Sequence, residues 1–167
     1  KKLAVIFPGV GYTCTKPLLY YTASMAAERG YEIIRLDYGQ DIHTFHGRTP
    51  TELEHHKTGN KKNASPIGNV PFSEYDDIIF ISKSIGTTIA CQLETALQLK
   101  GKVHQFLMTP IPSTLRYLSD INGLFFAGTA DPYMPESKIR AAARNFPDKP
   151  AGFSRAATTP WSKKATL

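Results

Sequence analysis

Residues 76–88 read Asp-Asp-Ile-Ile-Phe-Ile-Ser-Lys-Ser-Ile-Gly-Thr-Thr, and this stretch decides how the rest of the chain is interpreted. Its apolar run leads into the pattern small-x-Ser-x-small, which predicts a buried strand, a tight turn at Ser84 and then a helix. The small residues Ser82 and Gly86 let the strand and the helix pass closely, and the turn pushes the serine out of the sheet. The stretch therefore predicts a nucleophile elbow at Ser84, with an ordinary serine N-cap as the alternative.

The composition indicates a single compact domain over residues 1–167, with a core in 1–146 and an atypical tail in 147–167. With 41% hydrophobic residues the chain can bury a core, and its length leaves no room for a second domain. No apolar run is long enough for a membrane span or a signal peptide, so we expect a cytoplasmic protein with no membrane partner. The net charge of +6 is scattered and accompanies no nucleic-acid motif, so no nucleic-acid partner is expected. Two distant cysteines indicate neither a disulfide framework nor a metal site.

Strand and helix patterns alternate along the chain, which predicts a parallel sheet covered by helices on both faces. The predicted strands are 3–7, 31–36, 78–82, 103–108 and 123–127, and the predicted helices are 17–29, 87–99 and 135–145. Gly30 and Gly101 are expected to end the first two helices. The fold class is therefore α/β, a three-layer α/β/α sandwich with strand order 2-1-3-4-5. The tail shows the pattern of neither a sixth strand nor a closing amphipathic helix.

The crevice of such a sheet opens at the carboxyl ends of the strands, here between the first and the third strand. The glycine-containing loop after the first strand and the turn at Ser84 would face one another across it. A backbone N–H of Val10 or Gly11, together with that of Ile85, could then hold an oxyanion while Ser84 Oγ attacks a carbonyl carbon. This arrangement favours the nucleophile over the N-cap.

Three stretches, in this order, resemble landmarks of the α/β-hydrolase superfamily. They are Phe-Pro-Gly-Val-Gly-Tyr at 7–12, the elbow at 82–87, and Phe-Ala-Gly-Thr-Ala-Asp-Pro at 126–132. The resemblance covers residues 1–145 and is that of a small, lid-less, bacterial-type serine hydrolase. It implies a Ser-Asp-His esterase mechanism without cofactor or metal, acting on a small-molecule ester or thioester. It also implies that Asp131 is the acid that orients the histidine, although an Asp-Pro turn is an alternative for that residue.

The histidine that this resemblance implies after Asp131 is missing. All five histidines precede that residue: His43, His46, His55, His56 and His104. Each is interpreted as a surface or packing residue rather than as a base. Because a serine hydroxyl without a general base is a poor nucleophile, this chain is expected to be inactive unless a histidine is supplied.

Two segments suggest frame slips in the gene or in its recorded sequence. With permissible codons, residues 156–162 can be read in another frame as Ser-Asn-His-Ser-Leu-Glu, which is a loop with a histidine where the superfamily has one. Residues 55–68 can be read as Ile-Ile-Lys-Gln-Ala-Ile-Lys-Lys-Arg-Ile-Ser-Tyr-Trp, an amphipathic helix where the fold lacks one. The nucleotide sequence decides this hypothesis.

Two other functions stay open at this point. One is a catalytically dead binding module that keeps the crevice without the base. The other is dinucleotide binding, because Gly9 and Gly11 follow the first strand and Asp37 ends the second, although Cys14 replaces the third glycine of that fingerprint. The sequence names neither the substrate nor the oligomeric state.

Overall fold

The structure, a computed structural model, describes residues 1–38, 66–145 and 151–154, the last four as backbone only. These residues form a six-stranded sheet in the order β2-β1-β3-β4-β5-β6, and every pairing between its strands is parallel. The strands are β1 (Lys2–Phe7), β2 (Glu32–Arg35), β3 (Asp77–Lys83), β4 (Val103–Met108), β5 (Asn122–Gly128) and β6 (Ala151–Ser154). The predicted order 2-1-3-4-5 is confirmed.

In the part of the chain that the structure describes, three α-helices cover the two faces of the sheet, as the alternating pattern predicts. They are α1 (Pro17–Glu28), α2 (Ile85–Ala96) and α3 (Glu136–Asn145). Short 3-10 segments lie at Pro66–Asn69, Phe72–Glu74 and Pro112–Tyr117. None of the helices in the described ranges is both long and apolar enough to cross a membrane.

The core is divided by the sheet because side chains of a strand point alternately to its two faces. Leu19 and Ala23 of α1 pack with Ala4, Ile6 and Ile81 on one face. Ile85 and Ile89 of α2 pack with Phe7 and Phe80, among others, on the opposite face. Ile139 of α3 packs with Cys91, Leu107 and Phe125 in a third cluster that shares a residue of α2 and so lies on its side of the sheet. This three-layer packing fixes which loops meet at the carboxyl edge.

The helix ends show one correct and one wrong prediction. Gly30 follows α1 with φ 83°, and the N–H groups of Gly30 and Tyr31 donate to Ala27 and Ala26, a Schellman motif. The same pattern after α2 places Gln98 at φ 53°, with the N–H groups of residues 98 and 99 donating to residues 95 and 94. The prediction that Gly101 ends this helix is therefore wrong, because buried Leu99 can secure the motif without glycine.

The tail contains a sixth strand that the sequence analysis does not predict. Ala151–Ser154 pairs in parallel with β5, from Phe125 opposite Ala151 to Gly128 opposite Ser154. A segment of four residues that includes a glycine is too short to show alternating hydrophobicity and has a low β-propensity, so the sequence does not identify it as a strand. Pairing with β5 stabilises it instead. The segments considered for frame slips, 156–162 and nearly all of 55–68, lie outside the described residues.

Candidate active site

Ser84 stands at the turn between β3 and α2 in a strained backbone conformation. Its φ of 55° and ψ of −124° are rare for a residue with a side chain and cost about 1–3 kcal/mol. The Ser84 N–H donates to the carbonyl of Met108 at 3.0 Å, and the side chain is partly exposed. Although Ser84 occupies the N-cap position of α2, its side chain makes no capping hydrogen bond. The geometry therefore disfavours the N-cap alternative and leaves the hydroxyl available.

The glycine loop and the elbow are in direct contact. A Cβ on Gly86 would lie only 2.4 Å from the carbonyl oxygens of both Phe7 and Pro8, so a glycine is required there. A Cβ on Gly9 would lie 3.2 Å from the Cβ of Ser84. The two loops thus meet across the end of the sheet, as the topological argument predicts.

The predicted oxyanion donors are arranged around this contact. Gly9 and Tyr12 exchange backbone hydrogen bonds of 3.1 and 3.2 Å, which makes Val10 and Gly11 the central residues of a tight turn with Gly11 at φ 58°. Ile85 is the first residue of α2. Within the described ranges, no backbone hydrogen bond uses the N–H groups of Val10, Gly11 or Ile85 as donors. Unpaired N–H groups at a helix N-terminus and a neighbouring turn suit a developing negative charge.

Asp131 is buried, at 4% exposure, just beyond β5. Its Oδ1 accepts a hydrogen bond from the N–H of Tyr133 at 2.9 Å, and its own N–H donates to the carbonyl of Gly128 at 3.2 Å. These are the contacts of an Asp turn, as the alternative interpretation expects. The residue nevertheless lies at the carboxyl edge that carries Ser84, with β4 between their strands. Its position suits the acid role, while the hydrogen bonds that it makes within the described residues are local.

Lys83 is a buried cation beside Ser84 that the sequence analysis does not single out. It is 3% exposed, and its Nζ lies 4.4 Å from the centre of the Tyr12 ring in a cation–π contact. Burial lowers the pKa of the Lys83 ammonium, and the nearby Asp131 carboxylate opposes part of that shift. The sequence feature that could have identified Lys83 is a charged residue at the end of an otherwise apolar strand.

Thr109 is a second residue at this edge that the sequence analysis does not identify. It follows β4 with φ 46°, and its N–H donates to the carbonyl of Phe126 at 2.7 Å. Its hydroxyl is buried and has no hydrogen-bond partner in the described structure. A left-handed threonine with an orphan hydroxyl is costly, and such strain clusters at functional sites. Nothing in the sequence indicates this conformation.

The one histidine in the described ranges is remote from Ser84. His104 is the second residue of β4, and Met108, whose carbonyl binds the Ser84 N–H, is the last. About 13 Å of strand therefore separates His104 from Met108. His104 is exposed, and its Nδ1 accepts a hydrogen bond from Asn122 Nδ2 at 3.1 Å. The interpretation of this histidine as a surface residue is confirmed, while His43, His46, His55 and His56 lie outside the described residues. In those ranges no group of three His, Cys, Asp or Glu side chains is placed to hold a metal ion.

Solved structures with the same architecture exist, although sequence comparisons find nothing. No protein-family model and no curated protein sequence matches the chain. A Xanthomonas campestris protein classed with the hydrolases of the alpha/beta superfamily is 18% identical with a TM-score of 0.62, over 93% of this chain and 87% of that one. The chain has the α/β-hydrolase fold.

Two further structures agree with this assignment of the fold. An Agrobacterium tumefaciens protein of unknown function, classed with the alpha/beta hydrolases, is 17% identical with a TM-score of 0.60, over 94% of this chain and 75% of that one. An alpha-beta serine hydrolase homologue from Coxiella burnetii is 12% identical with a TM-score of 0.57, over 94% of this chain and 76% of that one. At these identities the likeness concerns the fold, so the function must be argued from the site.

Proposed function

We propose that this protein is a serine hydrolase of carboxylic esters or thioesters that acts through an acyl-enzyme on Ser84. The observation that carries the proposal is the conformation of Ser84, which is strained, uncapped and partly exposed at the N-terminus of α2. A strained backbone conformation persists only when the surrounding structure holds the residue in place, and such residues cluster at active sites. In an N-cap, the serine side-chain oxygen would instead accept a hydrogen bond from a backbone N–H of the first helical turn.

The proposed reaction uses the two loops that meet at the end of the sheet. Ser84 Oγ attacks the carbonyl carbon of the ester, and the hydroxyl proton must pass to a base. The carbonyl oxygen becomes an oxyanion that the N–H of Ile85 and an N–H of Val10 or Gly11 stabilise, with the positive end of the α2 dipole behind them. The alcohol or thiol leaves, and water then hydrolyses the acyl-enzyme.

The base of this reaction is missing from the chain as its sequence stands. We propose that the superfamily's histidine belongs after β6, and that Asp131 is there to orient it. Ser154 pairs with Gly128, so β6 ends beside the strand that precedes Asp131 and at the same edge of the sheet. A histidine a few residues further on, as the alternative reading frame of 156–162 supplies, would start from the correct edge. Without it, only residual catalysis from the oxyanion donors and from binding is expected.

A fluorophosphonate probe with mass-spectrometric mapping of the labelled peptide tests the proposal. Slow labelling at Ser84 is expected, and Ser84→Ala should abolish it while leaving the far-ultraviolet circular dichroism unchanged. The matched control is Ser24→Ala, which removes a half-buried hydroxyl on α1 whose hydrogen bond among the described residues goes to the carbonyl of Tyr20. Absence of labelling in the unmodified protein over days, together with binding of an ester to the crevice, would instead identify a dead binding module.

The dinucleotide alternative receives no support from the glycine loop. A pyrophosphate needs room between that loop and a helix N-terminus. Here a Cβ on Gly9 would already lie 3.2 Å from the Cβ of Ser84, and α1 begins only at Pro17. Tight binding of a nicotinamide cofactor in a calorimetric titration would revive this alternative.

A further inference from the structure

Four hydroxyl groups form a continuous network under the elbow, here called the hydroxyl network, which consists of Thr87, Thr88, Ser113 and Thr114. Thr87 Oγ1 lies 2.6 Å from the carbonyl oxygen of Ser84 and 2.7 Å from Thr114 Oγ1. Thr88 Oγ1 lies 2.8 Å from Thr114 Oγ1 and 2.8 Å from Ser113 Oγ. The three threonines are at most 4% exposed. The network joins α2 to the 3-10 segment Pro112–Tyr117 and ends on the proposed nucleophile's own peptide group.

Proton counting fixes the direction of every hydrogen bond in the network. A carbonyl oxygen can only accept, so Thr87 must donate its one hydroxyl hydrogen to the carbonyl oxygen of Ser84. Thr87 therefore accepts from Thr114. Because Thr114 donates its one hydroxyl hydrogen to Thr87, it accepts from Thr88. By the same reasoning Thr88 accepts from Ser113, which is the partly exposed end of the network. This is the one assignment in which all four contacts are hydrogen bonds.

The end of the network coincides with the strained residue. The Ser84 carbonyl accepts both the Thr87 N–H at 3.0 Å and the Thr87 hydroxyl at 2.6 Å. A strained conformation persists only when several contacts determine it together. A hydroxyl whose oxygen accepts one hydrogen bond becomes a stronger donor in the next, so Thr114 and Thr88 strengthen the bond that Thr87 gives to Ser84.

We propose that the hydroxyl network holds Ser84 in its reactive conformation, and that Thr114 is a positioning residue for the nucleophile although it does not touch it. The proposal rests on the function proposed above. It makes the segment after β4 part of the support for the elbow. Substrate groups that contact this segment would consequently affect the reactivity of Ser84 and not only the affinity of the crevice.

Thr114→Val tests this proposal because it keeps the shape of the side chain and removes its hydroxyl. We expect fluorophosphonate labelling at Ser84 to slow by about tenfold, since both hydrogen bonds of Thr114 are lost and the bond from Thr87 to Ser84 is no longer strengthened. Hydrogen exchange of the Thr87 amide, which bonds to the Ser84 carbonyl, should accelerate by a similar factor when followed by NMR. Thr114→Ser restores the hydroxyl and should bring both rates back to within about twofold of the original protein.

Thr95→Val is the matched control, because Thr95 also donates its hydroxyl to a carbonyl of α2, that of Cys91, outside the network. It should change neither the labelling rate nor the exchange of the Thr87 amide. If Thr114→Val does not fold, Thr88→Val removes the next donor and should give smaller changes of about threefold in the same two rates.

Three outcomes would overturn the proposal. The first is an unchanged exchange rate of the Thr87 amide in Thr114→Val, or in Thr88→Val if the first variant does not fold. The second is that Thr114→Ser does not restore the two rates. The third is that Thr95→Val changes the two rates as much as Thr114→Val does. If the unmodified protein is not labelled at all, the serine hydrolase proposal fails by itself. The exchange of the Thr87 amide still decides whether the network holds the turn.

Discussion

At the carboxyl ends of β1 and β3 the two loops of the crevice touch through main-chain atoms, whereas at the end of β5 the hydrogen bonds that Asp131 makes within the described residues stay inside its own turn. Gly86 lies against the carbonyls of residues 7 and 8, and hydrogen bonds from Thr87 and to Met108 hold the Ser84 peptide. The acid side has a buried carboxylate and a short sixth strand, and no histidine follows Asp131 in the sequence. The difference teaches that the nucleophile is held by its own helix, by the strands next to β3 and by the segment that follows β4. The acid–base half instead depends on a distant part of the chain.

The largest expected effect comes from supplying the missing base. Replacing residues 156–162 with Ser-Asn-His-Ser-Leu-Glu should raise kcat/KM for a short p-nitrophenyl ester by about 10³-fold, because triad residues act as a unit. The control is the same replacement with alanine in place of its histidine, which should give no gain. Equal activity of the two replacements would mean that the acid side of the site does not assemble around Asp131.

The role of Asp131 is expected to depend on that replacement. In the unmodified chain Asp131→Asn should leave labelling of Ser84 within about twofold, because no histidine follows Asp131 for it to orient. In the histidine-containing replacement the same change should lower kcat/KM by about 10²-fold. Asp120→Asn, which removes an exposed carboxylate paired with Lys100, is the control in both backgrounds. A large loss in the unmodified chain would show that Asp131 already acts in the chemistry.

The nucleophile side should be intolerant of a single methyl group. Gly86→Ala places a Cβ against two carbonyl oxygens at 2.4 Å, and we expect the free energy of unfolding to fall by about 3 kcal/mol or more. Gly101→Ala meets no atom within 4 Å and carries only the strain of φ 80°, so a loss of about 1 kcal/mol is expected. Urea unfolding measures both values, and similar losses would contradict the tight contact between the loops.

The smallest expected effect concerns the buried cation between the two halves. Because burial lowers the pKa of Lys83 in the folded protein, the charged form disfavours folding at neutral pH. This cost disappears as the pH rises past the ordinary lysine value of 10.5, where the side chain is neutral in both states. Lys83→Met should therefore raise the urea midpoint at pH 7, and the gain should shrink towards pH 10.5. A variant less stable at pH 7 would mean that the attraction to Asp131 outweighs the burial.

The sequence predicts the layered fold, the strand order and the position of the elbow, because each depends on a local pattern. The apolar runs of β1, β3 and β4 are continuous, and the small residues around Ser84 report a close approach of backbones. It does not predict β6 or the left-handed Thr109, because tertiary pairing with β5 and packing at the sheet edge decide these. Thr114 is equally invisible, since its partners Thr87 and Thr88 lie more than twenty residues away. The site assignments themselves stay predictions until the probe experiments are done.

The edge position of β6 has a consequence for how the gene tolerates damage. Within the described sheet β6 pairs with β5 alone, while the elbow is built from β1, β3, β4 and α2, all of which precede it on the chain. The elbow therefore needs none of the residues that follow β5. A reading-frame error after β5 would then remove the proposed base while leaving the serine turn intact.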